Sequence, residues 1–324
     1  MGWTLQRVSA VKMPCDYHLK EQIYLVQPKF DRCMSTSTTN GKDTSLNWKV
    51  FITPGIPIRT NTPAPNTKET FWHPISSTLI YGKRDAVLVD TFITVEQSDD
   101  LVKWVAASGK NLTTIYITHG HGDHWFGIGA LLDRFVNAKA VATPGTVRAM
   151  RRWPDRMNLW NGWLPGQVPN HPMIAEELEG NEIDLEGNEL KVVELGHSDT
   201  QDSTCLYVPS IGLAVVGDAA FNGTHPWLAG CPNTQKRNEW ISALDKIESL
   251  NPRVVIAGHK RPGTDDDPSI IDQTRLYIRD FDRLAESTDT ARELYDQMFK
   301  LYPDWLDPHV LWLGARAAKG EGTP

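Results

Sequence analysis

Residues 116–127 read YITHGHGDHWFG, and this stretch places three histidines and one aspartate within six consecutive positions, His119 to His124. A β-branched run typical of a strand, TTIYIT, leads directly into His119. Side chains two residues apart on an extended chain point the same way, so His119 and His121 are positioned to share one metal ion. Asp123 and His124 fall in the following turn, where glycines permit a tight bend, and are positioned to reach a second ion.

Three more residues of metal-ligand type follow apolar strand patterns further along the chain. His197 follows LKVVELG, Asp218 ends LAVVGD, and His259 follows RVVIAG. Zinc generally takes about four ligands, so the histidines of the first stretch need partners of this kind. A polar surface turn explains one such histidine, but it does not explain the same pattern at several strand ends. The sequence therefore predicts a metal site.

The stretch THGHGDH, followed in order by His197, Asp218 and His259, resembles the metallo-β-lactamase superfamily over roughly residues 77–262. The resemblance implies an α/β fold, a four-layer αββα sandwich with the metal site at one edge between the two sheets. It also implies a ligand assignment: His119, His121 and His197 for the first metal, Asp123, His124 and His259 for the second, and Asp218 as the bridge.

The residues at two positions indicate which members of this superfamily the chain resembles more. Asp218 stands where antibiotic-degrading lactamases carry a cysteine, which is similar to glyoxalase II and to lactonases. His121 stands where flavin-linked di-iron relatives carry a glutamate, which favours zinc and hydrolysis. The expected cofactors are therefore two Zn²⁺ ions per chain. The overall layout is also similar to fungal members that open lactam rings, although no single motif carries that likeness.

The chemistry expected from such a centre is hydrolysis. Water bound to zinc has a pKa lowered toward about 7, so hydroxide is available at neutral pH. We expect a metal-dependent hydrolase in which this hydroxide attacks the carbonyl of a small cyclic amide or ester, a lactam or a lactone. Asp123 is the expected catalytic residue, because in this picture it lies beside the water and carries its proton to the leaving atom.

Two alternatives remain open at the level of sequence. One is hydrolysis of a thioester, as in glyoxalase II, which requires basic residues for a glutathione carboxylate. The other is a non-hydrolytic mono-iron member, similar to a persulfide dioxygenase. Metal analysis separates them, because about two zinc ions per chain favour hydrolysis and one iron favours oxygen chemistry. Nothing in the sequence decides whether nitrogen, oxygen or sulfur leaves.

An insert at residues 151–166, RRWPDRMNLWNGWLPG, contains three of the twelve tryptophans in the chain. We expect it to form an apolar wall for a small cyclic or aromatic substrate, although packing of the insert onto the body explains the same residues equally well. A loop at 53–76 contains Trp72 and His73, and there packing is the favoured interpretation. The expected substrate-binding residues are Trp153, Met157, Trp160 and Trp163.

The remaining features set broad limits. The chain has 324 residues and a net charge of -7, which argues against a nucleic-acid partner and for a small-molecule substrate. No apolar run approaches the roughly 20 residues of a membrane span and no signal peptide is evident, so no membrane association and a cytoplasmic location are expected. Four cysteines without C-x-x-C spacing predict free thiols. The oligomeric state is left open.

We predict one domain over residues 1–324, with an N-terminal extension at 1–45 and a C-terminal helical segment at 269–324. Hairpins alternate with helices, which favours mixed sheets covered by helices. Helices are predicted at 95–108, 239–250 and 269–287. Strands are predicted at 23–28, 77–82, 86–91, 113–118, 138–143, 190–195, 204–209, 213–218 and 253–258.

Overall fold

The computed structural model describes residues 24–26, 46–152 and 156–322, with the side chains of 24–26 and of Met157 left outside this description. The strands are β1 Tyr24–Val26, β2 Asn47–Ile52, β3 Ile56–Pro57, β4 Phe71–Trp72, β5 Ser76–Tyr81, β6 Asp85–Val89, β7 Asn111–Ile117, β8 Lys139–Ala142, β9 Glu176–Glu177, β10 Glu182–Leu185, β11 Asn188–Gly196, β12 Ser203–Val208, β13 Leu213–Asn222 and β14 Val254–Lys260. The helices are α1 Val95–Ala107, α2 Ile128–Arg134, α3 Pro144–Arg151, α4 Met157–Trp163, α5 Thr234–Ser249, α6 Ile270–Ser287, α7 Ala291–Leu301 and α8 Pro308–Ala318.

The strands form two main mixed sheets. The first sheet has the order β1-β2-β5-β6-β7-β8-β9, and the second has the order β10-β11-β12-β13-β14. In the first sheet β6, β7, β8 and β9 run parallel, while β2, β5 and β6 pair as antiparallel neighbours. In the second sheet only the β13–β14 pair is parallel among the described strands. The short strands β3 and β4 pair separately.

The central strands are apolar on both faces, and this pattern creates the layers. In β6, Ala86 and Leu88 pack under the helices of the first sheet, while Val87 and Val89 face the second sheet. In β13, Val215 faces the first sheet in the same alternating way. Such strands need cover on both sides, so helices pack on each outer face. The expected four-layer αββα sandwich is confirmed.

The helices divide between the two outer layers. Apolar residues of α1, α2 and α3 belong to the core under the first sheet, and those of α5, α6 and α7 belong to the core under the second. Helix α8 lies between them, because Val310 joins the first core and Leu311 joins the second. Helix α1 begins with a capping box, in which the Thr94 side chain accepts from the Gln97 amide and the Gln97 side chain accepts from the Thr94 amide.

The predicted strands and helices are found within a few residues of their expected bounds, with one difference that affects the metal site. Asp218 and His259 lie inside β13 and β14, not beyond their ends. The pairing of these two strands shifts register on either side of Gly217, whose φ is 52°. This irregularity turns the two side chains toward the sheet edge within continuous strands.

Two predicted features fall wholly or partly beyond the described residues. Of the N-terminal extension at 1–45, only the backbone of β1 is described. The C-terminal segment from 269 contains α6, α7 and α8 as far as residue 322. Among the described helices, none combines the length and apolar character needed to cross a membrane.

Candidate metal centre

The ends of β6 and β7 meet at one edge of the first sheet, and Asp90 joins them. Asp90 follows β6 with a φ of 60°. Its carboxylate accepts hydrogen bonds from the Thr118 amide and the Thr118 hydroxyl, both at 2.8 Å, at the end of β7. Neighbouring parallel strands end at the same sheet edge, so this contact fixes where the chain enters the histidine-rich stretch. His119 comes next and is buried.

Asp123, His124 and His259 form one compact group of possible metal ligands. The Asp123 Oδ2 atom lies 3.4 Å from His259 Nε2 and 3.8 Å from His124 Nε2. The structure therefore brings together the three residues that the family resemblance assigns to the second metal. All three are almost wholly buried.

The two histidines of this group are each held by their other ring nitrogen. His124 Nδ1 lies 3.2 Å from the Asp90 carboxylate, and His259 Nδ1 lies 3.0 Å from the Pro74 carbonyl oxygen. An acceptor at Nδ1 keeps the proton there and leaves the Nε2 lone pair free for a metal. Both Nε2 atoms face the same space, 3.4 Å apart.

A second group contains His119, His121 and Asp218, together with Asp199. His119 Nε2 lies 3.7 Å from Asp218 Oδ2 and 3.8 Å from Asp199 Oδ2. Asp218 also lies 3.2 Å from the Nε2 atoms of both His124 and His259, so it joins the two groups. This position agrees with the bridging role that the resemblance implies for Asp218.

The structure does not bring His197 into either group. Its Nε2 atom lies 3.2 Å from the Sγ of Cys231, a buried free thiol, and its buried Nδ1 has no hydrogen-bond partner within the described chain. Asp199, two residues later in the loop after β11, takes the place near His121, with Oδ2 2.7 Å from His121 Nδ1. The role of His197 as a ligand of the first metal stays a prediction. The sequence signal for Asp199 was its position just past the same strand end.

The charges of these groups depend on one another. Burial on its own lowers the pKa of His259, but the carboxylates of Asp218 and Asp123 raise it to about 10. Burial likewise opposes the ionised form of Asp218, yet His124 and His259 hold the pKa of its carboxyl well below the usual range. The same carboxylates raise the pKa of His124, so without a metal His124 and His259 carry the positive charge that balances Asp123 and Asp218. A divalent cation supplies that charge in their place and releases the protons.

The donor set fits a pair of divalent transition metals. Imidazole nitrogens and carboxylate oxygens are ligands that zinc accepts. His119 Nε2 is buried with no hydrogen-bond partner in the described chain, as expected of an atom reserved for a metal. A Cβ atom at Gly258 would lie 2.4 Å from Asp218 Oδ1 and 2.9 Å from His124 Cε1, so only glycine allows these ligands to approach the strand.

Trp72 links this centre to an aromatic wall. Its indole Nε1 donates a hydrogen bond to Asp123 Oδ2 at 2.9 Å, and its ring packs against Trp160, Trp163 and Trp227 at centroid distances of 5.1, 5.2 and 5.7 Å. The next residue, His73, stacks on His259 at 4.0 Å. Sequence reasoning favoured simple packing for this loop and did not identify Trp72 as a partner of Asp123.

A cavity of about 410 Å³ opens over the centre. Trp160 and Trp163 line it and are also buried in the core of the first sheet, so pocket lining and packing are combined in the same side chains. Their role in substrate binding stays a prediction. Trp153 lies outside the described residues; Met157 begins α4, but its side chain is not described. Among the described residues, the aromatic wall of the cavity is formed by Trp72, Trp160, Trp163 and Trp227.

A family model described as the metallo-beta-lactamase superfamily matches residues 70–259, which include every ligand assigned above. The solved structure of the DIM-1 metallo-β-lactamase aligns with a TM-score of 0.53 and 19% identity, covering 75% of this chain and 95% of that chain. A metallo-β-lactamase family protein from Thermus thermophilus aligns with a TM-score of 0.52 over 82% of this chain and 93% of that chain, at 19% identity. Both likenesses support the fold.

Curated relatives are similar over shorter stretches. A hydroxyacylglutathione hydrolase from Francisella tularensis is 37% identical over 67 residues, which amount to 21% of this chain. The chain spans about a quarter of that relative, since the match covers 25% of its length. A type 2 metallo-β-lactamase from Bacteroides fragilis is 24% identical over 189 residues, covering 57% of this chain and 69% of that protein.

Proposed function

The chain belongs to the metallo-β-lactamase superfamily and is a metal-dependent hydrolase, and from this premise we propose that it binds two zinc ions and opens a small lactam or lactone. The observation that supports the proposal most strongly is the pair of ligand groups joined by Asp218 at the floor of a cavity. When bound, divalent ions supply Lewis acidity and lower the pKa of water toward about 7.

Asp123 is the group proposed to handle the proton. Asp123 lines the cavity, and its Oδ2 atom accepts the hydrogen bond from Trp72 Nε1. That bond orients the carboxylate, because an indole N–H is a donor only and approaches from a fixed direction. In this orientation Asp123 accepts a proton from the attacking water and returns it to the leaving atom. An amide nitrogen needs that proton more than an alkoxide oxygen does.

The aromatic wall supports a small and largely apolar substrate. Trp160 and Trp163 present rings to the cavity and are held by edge-to-face packing at 5.4 Å. Rings fixed in this way exclude water and offer flat apolar surface to a cyclic or aromatic group. The proposed occupant is therefore a small molecule, with the carbonyl at the metals and the apolar body against the tryptophans.

Thioester hydrolysis is the second candidate, and one observation favours it. Arg148, Arg152 and Arg156 line the same cavity, which supplies the basic residues that a glutathione carboxylate requires. The name of the Francisella relative also fits a glutathione thioester, although only a short part of that protein matches. The two candidates share the metal centre and differ in the leaving atom.

The test combines metal analysis with a substrate panel. Protein prepared without chelator should contain about two zinc ions per chain, since the residues provide two joined ligand groups. About one iron per chain would favour the mono-iron alternative instead. The zinc-loaded enzyme is then offered lactams, lactones, glutathione thioesters and phosphodiesters. Faster turnover of a lactam or lactone than of thioesters supports the proposal, and faster turnover of thioesters supports the second candidate.

Correctly folded protein that holds no metal would contradict both. Circular dichroism and thermal unfolding identify folded protein independently of activity. A chelated and reloaded sample serves as the control, because its turnover should disappear with the metal and return with zinc. Protein that binds two zinc ions and hydrolyses only phosphodiesters would keep the centre and exclude the proposed substrate class.

A further inference from the structure

Three arginines lie along one side of the cavity. Arg148 is in α3, Arg152 follows its last residue, and Arg156 precedes α4. Arg148 and Arg152 are four residues apart, a spacing that brings side chains to one face of a helix. All three side chains are exposed to solvent while lining the cavity. Their guanidinium groups are therefore available to a bound molecule.

These arginines differ from a neighbour on the same helix. Arg151 forms an ion pair with Glu177 of β9, with Nη1 and Oε1 3.0 Å apart, and it does not line the cavity. Among the described residues, the carboxylate that approaches Arg148 is that of Asp202, 3.9 Å away and too far for a hydrogen bond. Among the described residues, no carboxylate lies within ion-pair distance of Arg152 or Arg156. The cavity thus holds guanidinium groups with unused donors.

Helix electrostatics explains part of this pattern. Cationic side chains near a helix C-terminus interact favourably with the helix dipole, and both Arg148 and Arg151 lie in the last turn of α3. That effect does not distinguish a side chain that faces the cavity from one that faces away. It also does not apply to Arg156, which lies at the N-terminal end of α4. A second reason is needed for guanidinium groups from two helices to line one cavity.

The charge around the cavity favours an anion. The whole chain carries a net charge of -7, yet the cavity collects three arginines. Of the acidic residues that line it, Asp123 and Asp218 belong to the metal centre, where bound cations would neutralise them. Among the described residues, Asp202 is the one lining carboxylate outside that centre. Local positive potential of this kind attracts an anionic ligand despite the opposite net charge.

We propose that Arg148, Arg152 and Arg156 form an anion site that binds a carboxylate of the substrate. The guanidinium group is planar and binds a carboxylate through two parallel hydrogen bonds. This inference rests on the proposed hydrolysis and narrows the substrate class. For the proposed reaction, the substrate is a small lactam or lactone that also carries a carboxylate that is not itself hydrolysed. For the second candidate, the same site would bind a carboxylate of the glutathione thioester.

Calorimetric titration of the zinc-loaded protein tests the site without turnover. The probes are 1-naphthoate, the neutral 1-naphthamide and 1-naphthyl phosphate, which share one aromatic body. In the triple variant Arg148→Gln, Arg152→Gln, Arg156→Gln, we expect the affinity for 1-naphthoate to fall about tenfold or more, because charge-assisted hydrogen bonds are lost. Affinity for 1-naphthamide should stay unchanged. The variant Arg151→Gln is the matched control and should bind all three probes as the parent does.

The outcomes separate the site from the reaction. Equal loss for naphthoate and naphthamide, or no loss for either, would overturn the anion site, and so would a loss confined to naphthyl phosphate. Zinc contacts with the carboxylate are common to parent and variant and therefore cancel in the comparison. If the naphthoate effect is found while no lactam or lactone is hydrolysed, the anion site stands and the proposed reaction fails. Thermal unfolding of each variant confirms that it is folded.

Discussion

The metal centre and the tryptophan wall line the same cavity, but the chain builds them in different ways. Most ligands of the centre lie in strands or directly after them, as with His119 after β7 and His259 in β14. The wall is assembled from separate segments: Trp72 from β4, Trp160 and Trp163 from α4, and Trp227 from the stretch after β13. Trp160 and Trp163 are neighbours on one helix, but no local pattern connects them to Trp72 or Trp227.

This contrast explains which parts of the site can be predicted from local sequence. A strand fixes the direction of the next few side chains, so a ligand at its end has a predictable position. A wall residue depends on how distant segments pack, which is a tertiary property. The loop after β11 is an intermediate case. The strand end predicts that a ligand follows, but both His197 and Asp199 are candidates there. The structure places Asp199 nearer to His119 and His121.

The largest effect is expected in the metal centre, at Asp123 in the turn that follows β7. Asp123→Asn should lower kcat on the order of 100-fold or more, because it removes a carboxylate that handles the proton. The fold should survive, since the amide has nearly the same shape. Steady-state kinetics and zinc analysis on the same samples measure both effects. Asp133→Asn, a change in α2 outside the centre, is the matched control. Near-native turnover with two zinc ions bound would exclude a catalytic role for Asp123.

The bounds of individual strands and helices agree closely with those predicted from the sequence. The strand predicted at 113–118 is β7 at Asn111–Ile117, and the helix predicted at 95–108 is α1 at Val95–Ala107. The spacing of apolar residues and the capping residues at helix ends are local signals, which is why these elements are predictable.

Other features of the site depend on contacts between residues far apart in the chain. The sequence pattern marks Asp90 only as the end of a strand, but Asp90 accepts from Thr118 and contacts His124, which lies 34 residues further along. Trp72 meets Asp123 across 51 residues. A single sequence has no signal for such pairs, because the two partners come together only when the chain has folded.

An intermediate effect is expected in the loop after β11. We expect His197→Ala to weaken the more loosely held zinc ion at least about tenfold, because an imidazole with an unpartnered buried nitrogen is available to a metal. Asp199→Asn should weaken it less. Competition with a chromophoric chelator measures the affinities, and the absorption spectrum of the cobalt-substituted protein reports a change of ligand. His171→Ala, at an exposed position outside the centre, is the control.

The reverse order of these two variants would assign the ligand to Asp199. The family assignment at position 197 would then be wrong for this chain, and the first metal would be held by two histidines and two carboxylates. Equal and small effects would mean that neither side chain is required, and that His119, His121 and Asp218 are sufficient.

The smallest catalytic effect is expected in the wall, where binding and packing are combined. Trp160→Ala should raise KM for an apolar cyclic substrate several-fold and leave kcat nearly unchanged, because the ring contacts the substrate equally in the ground and transition states. The same change should lower the free energy of unfolding by about 3–5 kcal/mol, as truncation of a buried tryptophan usually does.

Trp104→Ala is the matched control, because Trp104 is buried in the same core but does not line the cavity. It should lose a similar amount of stability with no change in KM, as measured by chemical denaturation and kinetics on both variants. If the two variants have the same KM, Trp160 acts only in packing, and the apolar character proposed for the substrate loses its support while the metal chemistry is unaffected.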